Sequence, residues 1–130
     1  MSQENVEVVR AFYEQPARGN FSVLDDLPDD FAFVTSDELP DAGTYRGSAA
    51  TQFIRDWIAS FADRTISATE IVDAGHKVVI GIVQSGRPIG SDKRVEGRWW
   101  QTVAVREGQI SAVETFQRRE DALEAAGLRE

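Results

Sequence analysis

Few residues of this chain combine the chemistry and the position that acid–base catalysis requires. His76 is the only histidine, and the surrounding sequence DAGHK is typical of an exposed hairpin turn. Asp37 and Glu38 begin a loop after a predicted strand, so either carboxylate could lean over an apolar site. Such a site raises the pKa of a carboxyl group by desolvation, which is the usual way to make a general base. The sequence therefore offers a loop carboxylate as candidate base, with a solvated surface acid as the alternative.

The sequence predicts neither a metal site nor a phosphate site. The chain has no cysteine, one histidine and no spaced pair of carboxylates on a predicted inward face. Gly86 and Gly90 lie in GRPIGSDKR, which resembles a flexible hairpin because no helix follows it to form a phosphate cradle. We therefore expect no metal and no cofactor.

Composition narrows the classes of partner. The chain has 130 residues and a net charge of −8, so we expect no binding to nucleic acid or to an anionic membrane surface. The apolar run VVIGIV, residues 78–83, is far shorter than the roughly 20 residues of a membrane span. The polar N-terminus shows no signal-peptide pattern, and the absence of cysteine fits a reducing compartment. We expect a cytoplasmic protein.

Helical periodicity marks four segments of the chain. Apolar residues recur at helical spacing in residues 2–20 and again in residues 47–63, where Phe61 closes the apolar stripe. Residues 21–27 predict a second, short helix, and residues 119–130 predict an amphipathic helix that ends the chain.

Strand patterns fill most of the remainder. Residues 29–36 alternate between two faces, and residues 37–45 are rich in turn formers and predict a loop. Four further strands follow one another, separated by turns, at residues 64–75, 76–86, 95–108 and 109–118. Early helices and consecutive strands indicate an α+β fold, in which a curved antiparallel sheet wraps around the helices to form a cone.

Four segments give the chain a family resemblance: NVEVVRAFYE, YRGSAATQFIRDW, VREGQI and REDALEAAGL. They are similar to the SnoaL-like, ketosteroid-isomerase-like branch of the nuclear-transport-factor-2-like superfamily, and they follow its order over nearly the whole chain. The resemblance implies one domain over residues 1–130, with the α+β cone and a small-molecule pocket between helices and sheet. It also implies a homodimer formed through the outer face of the sheet.

The adjacent tryptophans of RWWQTVAV must serve two surfaces if this stretch is a strand, because neighbouring side chains point to opposite faces. By the resemblance, the face of Trp99, Gln101 and Val103 lines the cone. The opposite face would meet the partner subunit through Trp100, Thr102 and Ala104, since aromatic residues concentrate at interface cores. The alternative is that both indoles pack within one subunit.

The resemblance also allows the three polar roles of ketosteroid isomerase to be placed on this chain. The base falls at Thr35, which is not a carboxylate, and the tyrosine falls near Phe12, beside Tyr13. The protonated acid falls at Gln101, whose amide keeps a hydrogen-bond donor. All three positions depart from the isomerase pattern, so Asp37 is the candidate base, with Tyr13 and Gln101 polarising a substrate.

Other activities of the family find less support. Its epoxide hydrolases use an Asp–Arg–Asp set, but the last strand presents Val113, Thr115 and Gln117 inward and no aspartate. Apolar and weakly polar side chains instead predict a pocket for a flat or terpenoid-like neutral molecule. Its expected lining consists of Phe12, Phe31, Phe33, Thr35, Phe53, Trp57, Phe61, Trp99, Val103, Val113, Thr115 and Gln117, unless these side chains simply fill a core.

Three functions remain open from the sequence. The first is a binding domain for a small hydrophobic molecule, with little or no chemistry. The second is an isomerase, cyclase or hydrolase that uses Asp37 or Glu38 as its base. The third is a dimerisation module without a ligand, which needs only the outward face of Trp100.

Overall fold

Helices come early and strands late in the part of the chain that the structure, a computed structural model, describes: residues 2–35 and 43–128. The helices there are α1 (Ser2–Ala17), α2 (Ser22–Asp25), α3 (Ser48–Ala59) and α4 (Arg119–Ala125). The strands are β1 (Ala32–Thr35), β2 (Gly43–Arg46), β3 (Phe61–Asp73), β4 (Lys77–Pro88), β5 (Val95–Arg106) and β6 (Gln109–Phe116). The predicted α+β class is confirmed. None of the helices in these residues is long and apolar enough to cross a membrane.

The six described strands form one curved, unclosed sheet in the order β2-β1-β6-β5-β4-β3. Strands β3 to β6 form the predicted antiparallel meander. One pair departs from the expectation of a purely antiparallel sheet, because β1 runs parallel to β6, with Phe33 beside Val113. A parallel pair needs a long connection, which here comprises β2, α3 and β3 to β5.

Two stretches adopt a different element from the one that the sequence predicts. Phe61 begins β3 instead of closing the helical stripe, because α3 ends at Ala59. Ser60 ends the helix: its hydroxyl donates to the Trp57 carbonyl at 2.6 Å, and its own carbonyl accepts from the amide of Ile89, just after β4, at 2.9 Å. The end of the predicted loop forms β2, since pairing with β1 overrides local turn propensity.

The sheet buries apolar side chains on both of its faces. On the inner face, α1 and α2 contribute Val9, Phe12 and Leu24 to a core that includes Ile80 and Val103. On the outer face, α4 packs on a smaller cluster built around three buried residues, which are Val79, Ala122 and Leu123. The sheet is therefore a middle layer between the early helices and α4.

Trp99 and Trp100 point into these two different layers, as the alternation predicts. Trp99 packs with the inner core and Trp100 with the outer cluster. Each indole lies against a glycine, since a Cβ placed on Gly97 would lie 3.0 Å from the Trp99 ring and one on Gly81 would lie 2.7 Å from the Trp100 ring. Gly81 is also the cross-strand partner of Trp100. Covering a strand glycine with a neighbouring aromatic ring stabilises a position that has no side chain to pack.

The face predicted to form the dimer interface is largely occupied within the chain. Thr102 is only 2% exposed, and its hydroxyl donates to the Ala122 carbonyl of α4 at 2.7 Å. The Trp100 ring is half-buried and lies 5.8 Å from the Arg119 guanidinium. The assignment of Thr102 to an interface is therefore wrong, because α4 returns across the sheet and covers it. Ala104 stays partly exposed, and the homodimer stays a prediction.

The close contact between Gly81 and Trp100 gives a test of this packing. We expect Gly81→Ala to lower the free energy of unfolding by about 1–3 kcal/mol, because the new methyl group overlaps the indole. The Thr69 hydroxyl also lies 2.6 Å from that Cβ, but it belongs to an exposed side chain that can rotate away. Urea unfolding of the purified variants measures the effect.

A double-mutant cycle supplies the control. In a Trp100→Leu background the ring is gone, so Gly81→Ala should cost clearly less than in the wild type. An equal cost in both backgrounds would show that the indole does not lie over Gly81.

Candidate functional site

A cavity of about 270 Å³ lies between the early helices and the inner face of the sheet. Its wall is mostly aromatic and aliphatic. The lining side chains come from α1, α2 and α3 on one side and from five strands on the other: Phe12, Tyr13, Pro16, Leu24, Phe33, Thr35, Phe53, Ile54, Trp57, Ile58, Arg64, Ile66, Ile82, Gly97, Arg98, Trp99, Gln101 and Thr115. The described part of the cone is therefore hollow and not filled by its own side chains.

Most of the predicted lining residues reach this cavity, but five do not. Phe31, Val103 and Val113 are completely buried in the packed core and leave no surface to the cavity. Phe61 lies behind the wall, with its ring edge-on to Trp57 at 5.2 Å. Gln117 is exposed, because β6 ends at Phe116 and the inward alternation ends with it. The prediction that these five residues line the cavity is therefore wrong.

The sequence reasoning missed several lining residues on the helices and on strands β3, β4 and β5. Ile66 and Arg64 share the inward side of β3, and alternation counted back from Ile66 would have found Arg64. Arg98 borders the cavity although it neighbours Trp99 on the strand. Its side chain is 68% exposed and pairs with Glu96 at 3.4 Å, which puts it at the rim. The other missed residues are Pro16, Leu24, Ile54, Ile58, Ile82 and Gly97.

Three polar side chains form a hydrogen-bonded row on the cavity wall. The Tyr13 hydroxyl donates to Gln101 Oε1, and Gln101 Nε2 donates to Thr115 Oγ1 at 2.9 Å. Gln101 and Thr115 are cross-strand partners on β5 and β6, while Tyr13 reaches them from α1. Burial raises the pKa of the Tyr13 phenol well above its ordinary value. Tyr13 is therefore a neutral hydrogen-bond donor, and its one proton is already engaged by Gln101.

A second polar group lies where α3 meets the start of β3. Gln84 is almost fully buried, and its Oε1 accepts from Trp57 Nε1 at 3.1 Å and from Arg64 Nε at 2.8 Å. Trp57 also packs edge-on against Trp99, with ring centroids 6.2 Å apart. Trp57 is 40% exposed, so this group stands at the mouth of the cavity. Burial lowers the pKa of the Arg64 guanidinium, which nevertheless stays charged at neutral pH.

The remaining titratable candidates contribute little to the described wall. His76 lies exposed in the turn between β3 and β4 and does not line the cavity. Asp37 and Glu38, the candidate bases, lie outside the described residues. Within residues 2–35 and 43–128, no group of three or more histidine, aspartate or glutamate side chains could hold a metal ion.

Aromatic stacking fixes the helix that closes the cavity. Phe53 of α3 stacks on Tyr45 of β2, with centroids 4.4 Å apart, and it also contacts Phe33 of β1 at 5.3 Å. These rings join α3 to the β1–β2 edge of the sheet. Strand β2, which the sequence pattern did not predict, therefore helps to hold α3 against the cavity.

Comparison with solved structures identifies proteins with a similar fold. No protein-family profile matches the chain, and no curated protein matches it. Among solved structures, a protein described as a SnoaL-like polyketide cyclase from Jannaschia sp. CCS1 is similar at 15% identity and a TM-score of 0.75, over 88% of this chain and 85% of that one. A protein with a ketosteroid-isomerase-like fold from Catenulispora acidiphila, in complex with trimethylamine, is similar at 17% identity and a TM-score of 0.68, over 94% and 93% of the two chains.

A third similar structure has higher sequence identity. A nuclear-transport-factor-2-like protein from Burkholderia xenovorans is 26% identical, with a TM-score of 0.69, over 97% of each chain. All three share the helices-first cone described above. The chain therefore has the fold of the SnoaL-like and ketosteroid-isomerase-like branch of the nuclear-transport-factor-2-like superfamily, as the sequence resemblance predicts.

Proposed function

We propose that this protein binds a small, largely apolar organic molecule in the cavity between its helices and its sheet. The observation that carries the proposal is the unfilled cavity of about 270 Å³ with a mainly aromatic and aliphatic wall. Binding sites for small molecules combine such walls with a few placed polar groups. Here the row of Tyr13, Gln101 and Thr115 would supply those polar groups.

The size of the cavity limits the molecule. Pockets for drug-sized ligands span roughly 300–1,000 Å³, so this cavity stands at the small end. A molecule with one or two rings suits it better than a steroid does. A similar structure, the Catenulispora protein, holds trimethylamine, so a protein of this fold does take a small organic molecule.

Binding without chemistry is favoured by the ionisable groups of the described wall. These are Tyr13, Arg64 and Arg98. The phenol keeps its proton at neutral pH because burial raises its pKa, and arginine is always protonated, so none of the three can accept a proton as a general base.

An enzyme of the isomerase, cyclase or hydrolase kind is the second candidate. It needs Asp37 or Glu38 as its base, and one observation favours it. Thr35 lines the cavity, and Asp37 follows only two residues later in the sequence. Gln101 would then polarise the substrate with the second hydrogen of its Nε2, and Tyr13 would join it by releasing its hydrogen bond to Gln101.

Two neutral probes test binding itself. We expect the purified protein to bind the neutral probes 2-naphthamide and camphor, one flat and one globular, with a Kd in roughly the 10 µM to 1 mM range for ligands of this size. Ligand-observed NMR detects binding of this strength. If neither probe bound at millimolar concentration, the proposed function would be wrong.

A matched pair of variants tests whether the cavity is the place of binding. Ile54→Trp fills the cavity from α3, so we expect it to weaken binding of both probes at least tenfold. Ile89→Trp makes the same change at a 67% exposed position away from the cavity and should bind as the wild type does. Unchanged binding by the folded Ile54→Trp variant would place the probes elsewhere.

The protonation of Tyr13 gives a separate test. Because burial raises its pKa in the folded protein, this phenol contributes stability that is fully present below the unfolded pKa of about 10. That contribution is lost as pH rises further, since only the unfolded chain then releases the proton. Tyr13→Phe should therefore cost about 1–2 kcal/mol at neutral pH, where Gln101 loses its donor.

Urea unfolding at several pH values measures both effects. The difference between wild type and Tyr13→Phe should stay constant up to about pH 9 and shrink above about pH 10. A difference that stays constant through about pH 11 would contradict a buried, neutral Tyr13.

A further inference from the structure

We infer that the natural ligand is a small aromatic or alicyclic carboxylate whose anionic group pairs with Arg64 at the mouth of the cavity. The inference rests on the proposed function and names the class of molecule that the site selects. Three observations support it: the inward position of Arg64 on β3, the unused donors of this side chain and the charges around it.

A β-bulge in β3 lies at Arg64, which shares the inward side of the strand with Ile66. Asp63 and Arg64 together face the single residue Gly86 of β4, because the register shifts between the pairs Ala62–Arg87 and Thr65–Ser85. Asp63 takes a left-handed backbone conformation with a φ of 53°, which is unfavourable for a residue other than glycine. Bulges of this kind are frequent beside functional sites.

Two arginines hold this strained residue in place. Arg87 Nη2 donates to the Asp63 carboxylate at 2.8 Å, and Arg94 Nη2 donates to the Asp63 carbonyl at 2.8 Å. Arg87 therefore lowers the pKa of the Asp63 carboxylate, and this ion pair stabilises the bulge. The Asp63 carboxylate does not form an ion pair with Arg64, although the two residues are adjacent in sequence.

Arg64 has donors that the described protein does not use. Its Nε donates to Gln84, which leaves the two Nη groups without a partner among the described residues. Four arginines of the described chain are partly buried, namely Arg55, Arg64, Arg87 and Arg119. Three of them pair with a carboxylate within 4 Å, and Arg64 alone of these four does not.

The charge of the cavity contrasts with the charge of the protein. The chain carries a net charge of −8, yet the described cavity wall contains two arginines and no carboxylate. A partly desolvated cation without an acidic partner costs free energy, and an anionic ligand would recover it. The two Nη groups form an end-on fork that matches the planar geometry of a carboxylate, while Trp57 and Trp99 would contact the ring of the ligand.

The first test compares two probes on the wild-type protein. 2-Naphthoate and 2-naphthamide have the same shape, but only the acid is anionic at neutral pH. We expect 2-naphthoate to bind about tenfold more tightly or better, because hydrogen bonds to a charged partner are stronger than neutral ones. Isothermal titration calorimetry or ligand-observed NMR measures both Kd values.

Three variants assign the preference to Arg64. Arg64→Gln should bring the two probes to similar affinity, and Arg64→Lys should keep part of the preference, since it keeps the charge but loses the fork. Arg118→Gln makes the same change in net charge at an exposed residue that does not line the cavity, and it should keep the full preference. Circular dichroism checks that each variant is folded.

The outcomes separate this inference from the proposed function. If the amide binds and the acid binds no better, the inference is overturned and the proposed function stands. If Arg64→Gln keeps the preference for the acid, Arg64 is not its partner and the inference is also overturned. If camphor binds and neither naphthyl probe does, only the inference is overturned. If none of the three probes binds, both proposals are wrong.

Discussion

Strand β5 lies between two apolar layers, and the alternation of its side chains determines what each layer receives. Trp99 and Gln101 face the early helices, whereas Trp100 and Thr102 face α4. A shift of one residue in this register would exchange the two sets and bury the wrong side chains on both faces. The glycines under the two indoles add to this constraint, because only Gly97 and Gly81 leave room for rings of that size. The cavity and the outer cluster both depend on this one register.

Regular patterns explain why much of the fold was predictable from the sequence. The long helical stripes and the strands of the meander are continuous, and turn residues separate them, so their order and class follow from periodicity. The parallel pair of β1 and β6 was not predictable, because it joins residues far apart in sequence and leaves no local pattern. The same reason applies to β2, whose strand conformation depends on pairing with β1, and to the position of α4 on the outer face.

The site residues were predictable where they lie on regularly alternating strands, and were not predictable where a strand ends or where a contact joins distant parts of the chain. Phe33, Thr35, Trp99 and Gln101 occupy inward positions on regular strands, and they line the cavity. The prediction that Gln117 lines the cavity is wrong because β6 ends one residue earlier, at Phe116, and no turn residue in the sequence marks that end. Alternation counted back from Ile66 would have placed Arg64 inward, whereas its hydrogen bond to Gln84 joins residues distant in sequence and leaves no local pattern.

The central claim is that β5 presents one tryptophan to the cavity and the next to a packed layer. A ¹H–¹⁵N NMR titration that follows the three indole N–H signals, of Trp57, Trp99 and Trp100, tests it most directly. Adding 2-naphthamide should shift the signals of Trp57 and Trp99, which line the cavity, and leave that of Trp100 in place. A shift of Trp100 as large as that of Trp99, with Trp57 unmoved, would contradict the account.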